Sequence, residues 1–95
     1  MGNSIESEFF AIVAQWLDLD LISVRRELSF IDDLGVDEIS VTELFFMACE
    51  RFYVEKPSWL TSTLIEWSST PEGAAIQTVG DMLKYIQDNQ NTETY

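Results

Sequence analysis

The amino-acid sequence predicts an all-α fold: a small bundle of three to four helices with a long first loop. Three observations lead there. Apolar residues recur at helical spacing in three separate stretches, a residue suited to capping precedes each stretch, and one long connection between them carries no period. With 95 residues, 46% of them hydrophobic, the chain has apolar material for one core and not for two. We therefore expect one domain over 1–95, with its core at about 4–88 and a polar tail at 89–95.

The first helix is expected from about Ser4 to Leu17. Asn3 stands as its N-cap, with Glu6 three residues on as in a capping box. Ile5, Phe9, Ile12, Val13, Trp16 and Leu17 then form one apolar face. Residues 18–36 hold too many apolar side chains for a solvated loop, among them Leu19, Leu21, Ile22, Val24, Phe30 and Ile31. They read as a connection that packs back on the core, with a short helical turn and with Gly35 turning the chain near its end.

Asp37 opens the second helix, because its carboxylate can accept from the orphan backbone N–H groups and suits the positive end of the dipole. Ile39, Val41, Leu44, Phe45, Ala48 and Phe52 form its stripe, broadened by Phe46, Met47 and Cys49. It should end near Tyr53 or Val54, ahead of Lys56-Pro57. Trp59, Leu60, Leu64, Ile65 and Trp67 fit either a short helix or an extended piece, and Ser69 to Gly73 reads as a turn. The last helix runs from Thr78, its N-cap with Asp81 as partner, to about Asp88, on a stripe of Val79, Met82, Leu83 and Ile86.

The charge is −12, from 17 acids and 5 bases, with no histidine. That argues against nucleic-acid binding and against a polybasic membrane anchor. A single cysteine allows no internal disulfide and no multi-cysteine zinc site. No apolar run approaches the roughly 20 residues that span a bilayer. The first ten residues lack the positive region of a signal peptide, and Glu6 stands where a myristoylation signal wants a hydroxyl. The expectation is a cytoplasmic protein with no membrane insertion. Without histidine, a Gly-rich phosphate loop or a metal-ligand cluster, an enzyme is not expected.

Phe30-Ile31-Asp32-Asp33-Leu34-Gly35-Val36-Asp37-Glu38-Ile39 resembles the acyl carrier protein motif F-x-x-D-L-G-x-D-S-L. The likeness continues at Thr42-Glu43-Leu44, Glu50-Arg51-Phe52 and Thr78-Val79-Gly80-Asp81, and covers roughly residues 4–88. It implies the carrier fold. Carriers attach 4′-phosphopantetheine to the serine of D-S-L, and Glu38 stands at that place here. A carboxylate cannot accept that phosphodiester, so no cofactor is expected. With two tryptophans in a long segment between Lys56 and Thr78, the chain looks closer to carrier-like bacterial domains of unknown function that lack the serine.

The candidate site is therefore a docking surface. From Glu27 to Glu50 there are seven acids and no base. Asp33, Asp37, Glu38 and Glu43 are the expected partner-binding residues, and the partner is a protein with a basic patch that meets a monomer. In carriers, the resemblance implies, this acidic helix is what partner enzymes recognise. No metal is expected, because adjacent Asp32 and Asp33 fail the spacing of a calcium loop. Ser40 is a weak substitute attachment site, since two residues turn a helix by about 200°. Cys49 and the rings of Phe9, Trp16, Phe45, Phe46, Phe52, Trp59 and Trp67 are assigned to the core. A tryptophan exposed within 57–69 would instead mark a binding patch. Two alternatives stand: a genuine carrier loaded at another serine, and an acidic mimic of nucleic acid that blocks a binding groove.

Overall fold

A computed structural model describes residues 3–57 and 66–90. The readings made for Trp59 to Ile65, and for the tail beyond Gln90, lie outside the described residues. Among the described residues four α-helices follow in order: α1 (Asn3–Leu17), α2 (Glu38–Arg51), α3 (Pro71–Ala75) and α4 (Val79–Asn89). Two single 3-10 turns, Leu21–Ser23 and Trp67–Ser69, stand ahead of α2 and α3. Among the described residues there is no strand, and the all-α bundle with a long first loop is the fold. α1, α2 and α4 each touch the other two, and the Trp67–Ser69 turn packs on α2.

The core lies between those three helices. Phe9 and Val13 of α1, Val41, Leu44, Phe45 and Ala48 of α2, and Val79, Met82, Leu83 and Ile86 of α4 are fully buried. Phe52 and Trp67 join them, while Trp16 and Phe46 pack half-buried against the cluster. Phe45 is central: its ring centre lies 5.1 Å from that of Trp67 and 5.2 Å from that of Tyr85. Cys49 is fully buried, and burial pushes its thiol up to about 12, out of the range of a reactive thiolate.

Helix ends explain most departures from expectation. α1 begins at Asn3 itself, one residue ahead of Ser4, so Asn3 is inside the helix rather than before it. α2 stops at Arg51, earlier than Tyr53 or Val54. The stop signal is local: Tyr53 takes φ 58° and Val54 N–H reaches back to the Cys49 carbonyl at 2.8 Å. α1 ends the same way, with Asp18 at φ 58° and Leu19 N–H on the Ala14 carbonyl. Lys56-Pro57 therefore lies beyond a helix that has already ended. Residues 69–73 are not a turn. Thr70 caps α3 by accepting Gly73 N–H at 2.9 Å, and Pro71 opens the helix, where its missing N–H costs nothing. α4 has the expected capping box: Thr78 accepts from Asp81 N–H, and Asp81 accepts from Thr78 N–H, both at 3.1 Å.

The first loop is only partly a core element. Val24, Phe30 and Val36 are buried, but Leu19, Leu21, Ile22 and Ile31 face solvent, Ile22 at 86%. Backbone pairing, rather than apolar burial alone, holds it down. Phe30 N–H meets the Gln77 carbonyl, Val79 N–H the Leu28 carbonyl and Gly80 N–H the Arg26 carbonyl, at 2.8–3.0 Å. A Cβ on Gly80 would sit 3.0 Å from that same carbonyl oxygen, so any larger residue would have to push the loop back by a few tenths of an ångström. Gly35 supplies the turn into α2 at φ 68°.

Candidate functional site

α2 carries the acids singled out in the sequence, and the helix deals them into different roles. Asp37 is the N-cap, with φ −77° and ψ 167°, and its Oδ1 accepts Ser40 N–H at 2.8 Å. Hydrogen bonds from the Ser40 backbone and side chain hold its carboxyl below the ordinary value. Asp33 closes its own loop: its Oδ2 accepts Ser29 N–H at 2.8 Å, and Ser29 Oγ accepts Asp32 N–H at 3.1 Å. Both acids are exposed, yet each already serves the backbone.

Glu38 does something the sequence did not indicate. Its Oε1 accepts both the N–H of Ser68, at 3.0 Å, and the Ser68 hydroxyl, at 2.5 Å. The Ser68 hydroxyl, and then its N–H, hold the Glu38 carboxyl below its ordinary value. The partner lies 30 residues away in the turn before α3, and nothing in local spacing points to it. Ser40 is half-buried in the first turn of α2, where its N–H serves Asp37.

Glu43 stands apart from Glu38 by about 140° around the helix. It shares the outer face of α2 with Ile39, Met47 and Glu50. Ile39 and Met47 were expected in the buried stripe, but they are 42% and 37% exposed. They lie nearly opposite Val41, Phe45 and Ala48 around the helix. Lys56 pairs with Glu50 at 3.1 Å, and Arg51 pairs with Glu8 across to α1. Beside this face, Ile12 and Trp16 of α1 and Met47, Glu50 and Arg51 of α2 border an open groove of about 470 Å³. That groove was not foreseen, because it needs two helices to be set side by side. Trp67, the one described tryptophan of 57–69, is buried and marks no surface patch.

Among the described residues no group of acids, cysteine or histidine is arranged to hold a metal ion, and no helix is long and apolar enough to cross a membrane. What the arrangement offers is a capped helix with a fixed carboxylate at its head and an acidic, partly apolar outer face.

No family model matches the chain. Individual relatives do. The acyl carrier protein of Helicobacter pylori is 35% identical over 80 residues, which cover 84% of this chain and 87% of that protein. The acyl carrier protein of Chlamydia trachomatis serovar L2 is 33% identical over 88 residues, 93% of this chain and 99% of the relative. That of Chlamydia muridarum is equally similar over the same length. Near-complete coverage on both sides, with a helical bundle and a long first loop, leaves one conclusion: this chain belongs to the acyl carrier protein family.

Proposed function

We propose that the protein is an acyl-carrier-type domain without a pantetheine arm, which acts by docking on protein partners rather than by catalysis. The observation that carries this reading is Glu38. It follows the Asp37 cap in Asp37-Glu38-Ile39, where the family motif has its attachment serine, and its carboxylate is engaged by Ser68. A carboxylate offers no hydroxyl to form a phosphodiester, and its charge repels the incoming phosphate.

The docking surface in this reading is the outer face of α2, with Glu43 and Glu50 supplying charge and Ile39 and Met47 supplying apolar contact. Exposed methionine suits a surface that adapts to its partner. The partner presents Lys or Arg, steered by the field of a chain with charge −12. The same charge opposes self-association and nucleic-acid binding, so we assign a cytoplasmic monomer.

Intact mass after incubation with coenzyme A and a broad-specificity phosphopantetheinyl transferase tests the reading. The wild-type chain should gain nothing while an ordinary carrier loads fully, and Glu38→Ser should gain one arm. A gain by the wild type would overturn the proposal in favour of a genuine carrier, with Ser40 the next residue to replace.

A further inference from the structure

The contact between Glu38 and Ser68 joins two parts of the chain that are otherwise held by different means. The segment from Glu66 to Ile76 is anchored by Trp67, whose ring is buried against Phe45 and whose Nε1–H donates to the Ile76 carbonyl at 2.9 Å. Thr70 ties the segment to itself, its hydroxyl donating to the Trp67 carbonyl at 2.7 Å. Ser68 is exposed, and its two hydrogen bonds to Glu38 fasten this edge of the segment to the head of α2. A cavity of about 230 Å³ lies between this segment and the first loop, bordered by Phe30, Ile31, Trp67, Ser68 and Ile76.

We propose that Glu38 and Ser68 form an autoinhibitory latch: Ser68 holds one oxygen of the Glu38 carboxylate against a bidentate basic partner, and a partner that takes both oxygens frees the Ser68 edge of the segment 66–76. This rests on the docking role proposed above and extends it from the outer face to Glu38 at the head of α2. The physics is competition for one oxygen. Ser68 N–H and Oγ–H occupy Oε1 at no cost in translational freedom, so an arriving guanidinium that pairs with both carboxylate oxygens must displace them. Binding and opening are then coupled, and the coupling is reciprocal.

The test uses Ser68→Ala and Glu38→Ala, singly and together, in the full chain. Hydrogen exchange at the Trp67 indole and at the amides of 67–76 should quicken about fivefold in Ser68→Ala, the scale of an exposed charge-assisted pair. The double variant should be no faster than either single one. Unchanged exchange, or additive effects, overturns the latch. A synthetic amphipathic helix of arginine, alanine and leucine serves as the basic probe. It should bind Ser68→Ala about threefold tighter than wild type, and Glu38→Ala more weakly. Faster exchange with unaltered affinity overturns the autoinhibition and leaves a structural contact. No binding by any variant overturns the docking reading instead, while exchange still decides the latch.

Discussion

Along one face of α2, Val41, Leu44, Phe45 and Ala48 are fully buried. Along the opposite face, Ile39, Glu43, Met47 and Glu50 meet solvent. Both faces contain large apolar side chains, so hydrophobicity alone does not separate them. The difference lies in what stands opposite. The inner face meets α1, α4 and the Trp67 turn, while among the described residues the outer face stays exposed at Ile39, Glu43, Met47 and Glu50. Stability should therefore depend on the first and partner binding on the second.

Phe45→Ala gives the largest effect that this contrast predicts. Phe45 is fully buried and touches both Trp67 and Tyr85, so its loss leaves a cavity at the meeting point of three elements. Removing such a ring costs about 3–5 kcal/mol. For a domain of this size that is a large share of the total. Denaturant unfolding followed by tryptophan fluorescence should show a midpoint far below wild type. A loss under about 1 kcal/mol would mean that the inner face is looser than its burial implies.

Reversing Glu43 and Glu50 to lysine makes the opposite prediction. Stability should move within about 0.5 kcal/mol for Glu43→Lys, and fall by up to about 1 kcal/mol for Glu50→Lys, which also breaks the pair with Lys56. Affinity for the basic probe helix should fall about tenfold, and its dependence on salt should flatten. Asp37 is a poor choice for such a reversal, although it belongs to the same acidic stretch. Its carboxylate caps α2, and Asp37→Lys would mix loss of the cap with loss of charge.

How far this division could be read in advance depended on the range of each interaction. The caps at Asp37 and Thr78 are settled within three residues, and both stand where the spacing placed them. Three of the long apolar stripes were also legible, because a period of 3.6 is itself local. The outer face of α2 was not. Phe45, Phe46 and Met47 follow one another, so the stripe looks wide, and only the position of α1 and α4 decides which flank is wet. Thr70-Pro71 was a helix start hidden inside a run that also reads as a turn. Of the acids on α2 and its cap, Asp37, Glu38 and Glu43 could be named from the motif, but the tie from Glu38 to Ser68 spans 30 residues and leaves no pattern.

Acid should separate the helix heads from the outer face. Hydrogen bonding lowers Asp37 and Glu38 below their ordinary values. At Asp81 burial pushes upward, but the Gln77 and Thr78 N–H groups and the Thr78 hydroxyl outweigh it, and the net shift is again down. Each carboxyl therefore binds its proton more weakly folded than unfolded. Their stabilisation is complete above the unfolded values and is lost as pH falls through the folded ones, below about pH 4. Asp37→Asn keeps a cap but not a titration. Its melting temperature should match wild type near neutrality and decline less in acid. A parallel decline in both would remove Asp37 from the acid response.

The smallest effect sits where α2 ends. Tyr53 holds φ 58° while its side chain is 77% exposed, so the ring contributes little burial against the strain of a left-handed backbone. A non-glycine residue there costs about 1–2 kcal/mol, and glycine returns part of that gain through the greater freedom of its unfolded state. Tyr53→Gly should therefore raise stability by up to about 1 kcal/mol. Because Tyr53 lies beyond the last turn of the helix, binding of the basic probe to Glu43 and Glu50 should not change. A destabilised variant would mean that the Tyr53 ring, despite its exposure, supports the chain beyond α2, and the separation between an inner face for stability and an outer face for binding would end before the helix does.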